Sequence, residues 1–208
     1  NKSVTYNDIT GRLNREEVAN YTLNYNGAGQ VATKAVYFYG AANDRATDAS
    51  SDDQTSQINT YRADKDLAAV IATDLADIKS ITYNDITDRL KGEEVTDYTE
   101  KFNSNQEVTS STVYLYEQDL KRAVSAGAND RMSQSVTYRG EIDPLAIDED
   151  EDGIIDDYED QLASITYYDY ENRLKGEEVT DYTEKFNSDQ EVTSTTVYLY
   201  ESDLLRAA

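Results

Sequence analysis

The sequence of 208 residues contains no cysteine and no histidine. Without cysteine the chain can form neither disulfide bonds nor a thiol nucleophile, and without histidine it can form no imidazole-based catalytic triad. The usual cysteine and histidine ligands of zinc are missing as well. A pair of carboxylates could still act in catalysis, but 42 acidic residues leave no means of choosing one pair. We therefore expect that the protein is not an enzyme.

Basic residues are scarce, with 19 lysines and arginines against 42 acidic residues and a net charge of -23. Such a chain repels phosphate backbones and anionic lipid surfaces, so we expect no binding to nucleic acid. No apolar run approaches the ~20 residues that a membrane-spanning helix needs, so we expect no membrane insertion. The mean hydropathy is -0.77, and the 18 tyrosines predict a fold that buries rings more than aliphatic chains.

Three copies of one sequence pattern make up the chain. The first copy is diverged, but its aromatic landmarks keep one constant offset from those of the second, as Tyr6 does from Tyr83. The offset from the second copy to the third is longer, which places an insertion between Tyr138 and Tyr167. We assign residues 1–79, 80–163 and 164–208 to the three copies. Residues 89–123 and 173–207 differ only at Asn105/Asp189, Ser111/Thr195, Gln118/Ser202 and Lys121/Leu205.

The two ends of the chain align with internal parts of a repeat. Residues 1–3 match the close of a unit at 78–80, and residues 206–208 match the middle of a unit at 122–124. Neither end carries the polar cap that normally closes a repeat array. We therefore expect a segment of a longer array, continued end to end by further repeats of the same chain or by copies of it.

Two segments rich in threonine, valine and tyrosine recur in each copy and predict a β-hairpin. In the second copy they are GEEVTDYTEKFN and EVTSSTVYLYE, and in the first copy Gly27 and Gly29 lie between them. Further strands are predicted at SVTYN, SQINTYR, SITYN, SQSVTYR and SITYY. The predicted fold class is therefore mainly β, a tandem array of antiparallel β-hairpins.

One short helix is predicted between units. Leu67, Ile71, Leu75 and Ile78 recur at spacings of three and four residues, which is typical of one helix face. The matching segment GIIDDYEDQLAS, at residues 153–164, leads into the third copy and also has helical spacing. We expect this helix to connect successive copies.

A tyrosine stands six residues before an arginine six times in the chain. The surrounding segments TYNDITGRL, NYNGAGQV and YLYEQDLKRA resemble the YD repeats of Rhs-like extracellular proteins. The resemblance implies an extended, curling β-sheet of successive hairpins with tyrosine rings stacked across strands. Because packing requires such regular spacing, we interpret these residues as framework. The pairs are Tyr6/Arg12, Tyr39/Arg45, Tyr83/Arg89, Tyr116/Arg122, Tyr167/Arg173 and Tyr200/Arg206.

The insertion contains the segment DEDEDGIIDDYE at residues 148–159. It matches a twelve-position calcium loop, with acids at positions 1, 3, 5, 9 and 12, glycine at 6 and an apolar residue at 8. The loop resembles those of dockerins and thrombospondin type 3 repeats, which implies a structural site for the calcium found outside cells. The predicted Ca²⁺ ligands are the side chains of Asp148, Asp150, Asp152, Asp156 and Glu159 and the carbonyl of Ile154.

These features predict a non-enzymatic structural repeat protein outside the cell or on its surface. The chain would be a segment of a long adhesive, fibre-forming or filament-forming protein that calcium makes rigid. Two alternatives remain open. The YD resemblance implies a shell that encloses a toxin or other cargo, whereas tyrosine rings and carboxylates would also suit a carbohydrate-binding module with glycans as partners. The N-glycosylation pattern Asn20-Tyr21-Thr22 favours secretion weakly.

Overall fold

The structure is a computed structural model that describes residues 2–68, 70–144, 146 and 153–200, together with the backbone of residues 205 and 206. It contains two compact units, Asn1–Val108 and Thr109–Ala208. The division falls within the second sequence copy.

The described residues of the first unit form seven strands. Their order in the sheet is β1-β2-β3-β5-β6-β7, and the short β4 pairs with β3. Each of these pairings is antiparallel. The strands are β1 Ser3–Asp8, β2 Val18–Tyr25, β3 Val31–Tyr39, β4 Asp44–Arg45, β5 Thr55–Arg62, β6 Ile78–Asp85 and β7 Val95–Phe102.

The second unit repeats this arrangement with the strand order β8-β9-β10-β11-β12. Among the described residues, the five strands in this order are β8 Val108–Tyr116, β9 Met132–Arg139, β10 Leu162–Asp169, β11 Val179–Phe186 and β12 Val192–Val197. Two short strands, β13 Leu199–Tyr200 and β14 Leu205–Arg206, pair with each other. The 3₁₀ helices are Ala123–Ser125 and Asp156–Gln161.

The predicted fold class is confirmed, because the chain is mainly β and consists of consecutive antiparallel hairpins. All five additional strands predicted from the sequence are present as β1, β5, β6, β9 and β10. The short helix predicted before the third copy is the 3₁₀ helix Asp156–Gln161.

The helix predicted from Leu67, Ile71, Leu75 and Ile78 is wrong. The described residues between 63 and 77 form turns and irregular backbone, and Ile78 is the first residue of β6. Leu67 and Leu75 pack against the buried core of the sheet, whereas Ile71 is 62% exposed. The apolar spacing therefore reflects a loop that crosses the sheet and touches it at intervals.

Side chains of β5 hold this loop in place by hydrogen-bonding its carbonyl groups. Gln57 Nε2 and Asn59 Nδ2 both donate to the carbonyl of Ala72, at 2.8 and 2.9 Å. Tyr61 Oη donates to the carbonyl of Asp74 at 3.1 Å. These side-chain donors satisfy carbonyl groups that a helix would have paired internally, which explains why the segment stays irregular.

Apolar residues of four strands and the loop form the core of the first unit. Tyr61 belongs to this core and is fully buried, with Asn59 Nδ2 donating to its hydroxyl oxygen at 3.1 Å. The buried members are Val36, Phe38, Tyr61, Val70, Ile78, Ile81 and Phe102.

A second, smaller core lies at one end of the same unit. It contains Val18, Tyr39, Ala46 and Ala49, all of which are buried. Tyr39 Oη donates to the carbonyl of Ala19, and burial raises the pKa of Tyr39 to about 12. The hydroxyl therefore remains a protonated donor at neutral pH, as a structural role requires.

Three of the six arginines in the tyrosine–arginine pattern form ion pairs with an aspartate four residues earlier. Arg12 Nε donates to Asp8 at 2.8 Å, and its Nη2 also donates to the carbonyls of Ala46 and Ala49. The same pairing joins Arg89 to Asp85 and Arg173 to Asp169.

Removal of the Tyr61 hydroxyl tests the hydrogen bonds that hold the loop. Tyr61→Phe should lower the free energy of unfolding by about 1–2 kcal/mol, because the ring still packs while two buried polar groups lose a partner. The control is Tyr6→Phe, on a ring that is 42% exposed. It should change the stability by less than about 0.5 kcal/mol. Urea unfolding measures both, and equal effects would contradict the anchoring role.

The Asp8–Arg12 ion pair should make the stability of the fold depend on pH. The hydrogen bond from Arg12 is the main cause that lowers the pKa of Asp8 below its usual value. Since the folded pKa is lower than the unfolded one, the pair stabilises the fold above the usual carboxyl range, and this stability is lost as the pH falls through the folded pKa. Asp8→Asn should therefore reduce the loss of thermal stability below about pH 4. The exposed-loop control Asp52→Asn should not do so.

Candidate functional site

The candidate calcium loop lies between β9 and β10 of the second unit. Three of its predicted ligands, Asp148, Asp150 and Asp152, lie outside the described residues. The other three predicted ligands, Ile154, Asp156 and Glu159, lie within the described segment 153–161. The structure thus describes the second half of the loop and the strands on which it rests.

Gly153 occupies the position where the calcium-loop pattern requires a sharp turn. Its φ angle is +88°, in a region that side-chain-bearing residues rarely adopt. A Cβ atom at this position would lie 2.7 Å from Leu115 Cδ1 and 3.2 Å from Leu120 Cδ1. The loop therefore needs glycine here both for its backbone conformation and for its close approach to the sheet.

Ile155, at the apolar position of the loop, is buried on the sheet. Its backbone N–H donates to the hydroxyl oxygen of Tyr138 at 2.8 Å, and Tyr138 is itself fully buried in β9. The rings of Tyr138 and Tyr158 form a T-shaped contact, with 6.5 Å between ring centroids. The Tyr158 hydroxyl in turn accepts a hydrogen bond from the backbone N–H of Asp143 at 2.9 Å. Both flanks of residues 147–152 are thereby fastened to neighbouring tyrosines.

The acidic end of the loop forms a short 3₁₀ helix, Asp156–Gln161. Glu159 is exposed, and its Oε2 accepts a long hydrogen bond of 3.4 Å from Gln190 Nε2. Asp156 is partly buried in the first turn of this helix. These carboxylates are hard oxygen donors of the kind that Ca²⁺ prefers.

The described residues alone contain no group of three or more acidic side chains that could hold a metal ion. A calcium site here would also require the predicted ligands Asp148, Asp150 and Asp152, which lie outside the described residues. The positive φ of Gly153 and the burial of Ile155 fit the calcium-loop pattern.

The equivalent loop of the first copy, residues 63–77, is anchored differently. There Asn59 and Gln57 bind the carbonyl of Ala72. In the second copy Val136 takes the place of Asn59, and its side chain cannot donate a hydrogen bond. The second copy has thus lost one of the polar side chains that hold the first loop, and it carries the acidic insertion at this place.

Arginine anchors the loop in both copies. Arg45 Nη1 donates to the carbonyl of Val70 at 3.2 Å in the first unit. Its equivalent in the second copy, Arg122, donates to the carbonyl of Pro144 at 2.7 Å in the second unit. Arg45 also donates to Asn20 Oδ1 at 2.7 Å, so the amide of the predicted glycosylation acceptor takes part in the framework.

Tyr138, Arg122 and Leu115 support the candidate site, although the sequence did not predict this role for them. A signal for two of them was available, since Tyr61/Tyr138 and Arg45/Arg122 share the constant offset between the first two copies. Their role as anchors was not readable, because it depends on which loop groups come within hydrogen-bonding distance after folding.

Tyrosine rings stack in pairs across adjacent strands in each sequence copy. The three pairs have ring centroids 4.3–4.7 Å apart and interplanar angles of 15–18°. Beside each pair, two threonine hydroxyls from the same strands are hydrogen-bonded at 2.8–3.0 Å. The stacked pairs are Tyr6/Tyr21, Tyr83/Tyr98 and Tyr167/Tyr182.

None of the helices in the described ranges is long and apolar enough to cross a membrane. No known protein-family model matches the sequence, and no curated protein matches it.

Substitution of Gly153 tests the close packing of the loop on the sheet. Gly153→Ala should lower the free energy of unfolding by about 1–3 kcal/mol more than Gly92→Ala, since its Cβ would clash with Leu115. Gly92 is a matched control because it has the same φ of +88° and no heavy atom within 4 Å of an added Cβ. Urea denaturation of both variants measures the difference. Equal losses would show that only backbone strain matters at Gly153.

Proposed function

We propose that this chain is a non-enzymatic structural segment of an extracellular or cell-surface protein, of the adhesive or fibre-forming kind. In this proposal calcium makes the joint between the second and third sequence copies rigid. The near-identical copies and their regular hairpins support a structural role, because each copy rebuilds the same framework of stacked tyrosines and paired threonines.

The observation that carries the proposal is the anchoring of Gly153 and Ile155 on β8 and β9. The Ile155 N–H is bound by the buried hydroxyl of Tyr138, and Gly153 lies against Leu115 with no room for a side chain. Because the loop is held against the sheet in this way, a metal ion that makes the loop rigid would also restrain the strands beneath it. A merely acidic surface loop without a bound ion would need neither a buried residue at Ile155 nor the close contact of Gly153 with the sheet.

Calcium would supply the positive charge that lets the acidic side chains of this loop lie close together. Asp148, Asp150, Asp152, Asp156 and Glu159 would contribute carboxylate oxygens, and Ile154 would contribute its carbonyl oxygen. A single loop of this kind suits the roughly 10⁻⁴–10⁻³ M affinities of extracellular calcium modules. The Tyr138 hydroxyl would keep the loop in place on the sheet.

Calorimetric titration of the full chain with Ca²⁺ tests the site. We expect one binding event per chain, and Glu159→Gln should weaken it at least about tenfold because a bidentate ligand is lost. Glu151→Gln is the matched control, since it removes the same charge from a position of the loop that is not a ligand. The absence of binding in millimolar calcium, or an equal effect of both variants, would overturn the assignment.

Limited proteolysis of the same samples tests whether calcium makes the joint rigid. Calcium should slow cleavage between residues 141 and 152, and chelation should restore it. Cleavage within residues 63–77 should be unchanged, because that loop is held by side chains of β5. If calcium binds but does not slow this cleavage, the metal site is supported and its role in making the joint rigid is refuted.

A further inference from the structure

The turn between β2 and β3 contains the dipeptide Asn26-Gly27, the one place in the chain where glycine follows asparagine. Residues 26–30 are all exposed, and a Cβ atom added at Gly27 would have no heavy atom within 4 Å. Among the described residues, the Gly27 N–H donates no hydrogen bond to the hairpin. The backbone nitrogen of Gly27 is therefore accessible to solvent and is not needed for the fold of the turn.

The Asn26 side chain is held over this turn by two backbone donors. Its Oδ1 accepts from the N–H groups of Ala28 and Gln30, both at 3.0 Å. Donors placed in this way stabilise the negative charge that develops on the oxygen when its carbon is attacked. The Nδ2 group lies at the surface and donates a long hydrogen bond of 3.4 Å to Gln30 Oε1.

We propose that Asn26 is a site of spontaneous deamidation, with the Gly27 nitrogen as the nucleophile and water as the second reactant. The Gly27 nitrogen bonds to Cγ of Asn26, the Cγ–Nδ2 bond breaks, and the proton of the Gly27 N–H leaves with the ammonia. Water then opens the resulting five-membered imide. Its attack at Cγ leaves aspartate, whereas its attack at the main-chain carbon leaves isoaspartate. This modification is independent of the proposed structural function.

The later copies contain the same turn with a different residue at the position of the nucleophile. Asn103 and Asn187 also accept two backbone N–H groups through Oδ1, at 2.8–3.1 Å. In all three turns the asparagine carbonyl accepts from the N–H of the third residue after it. Ser104 and Ser188 follow the later asparagines, and their Cβ atoms hinder the main-chain rotation that brings the nitrogen to Cγ. The three turns therefore differ at the attacking residue, while the attacked group has the same donors.

The two products change the first hairpin differently. Both add a negative charge to the turn, and aspartate keeps an oxygen that can accept from Ala28 and Gln30. In isoaspartate the main chain runs through Cβ and Cγ, so the carbonyl that accepts from the Gly29 N–H becomes a free carboxylate. Isoaspartate therefore alters the hydrogen bonds that close the β2–β3 turn, and the corresponding turns of the later copies keep theirs.

Incubation of the full chain at mildly alkaline pH, followed by peptide mass spectrometry, tests the site. Conversion of amide to acid should be at least about tenfold faster at Asn26 than at Asn103 or Asn187, because serine hinders the approach of the attacking nitrogen. Both aspartyl and isoaspartyl peptides should form, and electron-transfer fragmentation distinguishes them. Equal rates at the three turns would overturn the proposal. Aspartate without isoaspartate would also overturn it, since direct hydrolysis of the side chain needs no imide.

Exchange of the residue after the asparagine tests the role of the Gly27 nitrogen. Gly27→Ser should slow the deamidation of Asn26 at least about tenfold, and Ser104→Gly should accelerate that of Asn103 to a similar extent. Both substitutions lie at exposed turn positions, and each introduces the residue that another copy already carries there. Circular dichroism verifies the fold, and Ser104→Gly decides the matter if Gly27→Ser does not fold. Unchanged deamidation in either folded variant would refute attack by the residue that follows asparagine.

Discussion

A buried tyrosine near the end of one strand holds the following loop against the sheet in each unit. Tyr61 donates its hydroxyl hydrogen to the carbonyl of Asp74, and Tyr138 accepts the N–H of Ile155 through its hydroxyl oxygen. A sheet with apolar residues needs a cover that excludes water, and loops provide it here because no long helix packs on the described strands. A covering loop brings polar backbone to an apolar face, so it needs such partners. The tyrosine hydroxyl therefore makes this form of cover possible.

The same framework accepts two chemically different loops. In the first copy, polar side chains of β5 donate hydrogen bonds to a carbonyl group of the loop. Within the loop, Lys65 forms an ion pair with Asp74 at 3.3 Å. In the second copy a valine replaces the asparagine of β5, and the loop is rich in acidic residues. Because carboxylates repel one another, such a loop gains order when a cation joins it. In the proposed function, bound calcium would take the place of the side-chain anchors of the first copy.

The hairpins could be predicted because their signals are local. Alternation of β-branched and aromatic residues, interrupted by turn residues at 103–106, specifies strand, turn and strand within about 20 residues. The turn confirms this reading, since Asn103 Oδ1 accepts from the N–H groups of Asn105 and Glu107. The apolar spacing of residues 67–78 also predicted a regular element, a helix, but that prediction was wrong. A loop that touches a sheet at intervals produces the same spacing as a helix, and only the donors of β5 distinguish the two.

The amino-acid sequence by itself determined the three copies, the strands, the turns and the twelve-residue acidic loop, because each depends on neighbouring residues and on internal repetition. The loop pattern in the sequence also requires a glycine at position 153, but it does not show that the sheet leaves no room there for a side chain. The tertiary structure revealed that Leu115 lies where a Cβ of residue 153 would be, and that Tyr138 binds Ile155. These contacts join residues that are distant in the sequence, and no local pattern encodes their separation in space. They depend on the register of the strands and on the path that the loop takes across the assembled sheet.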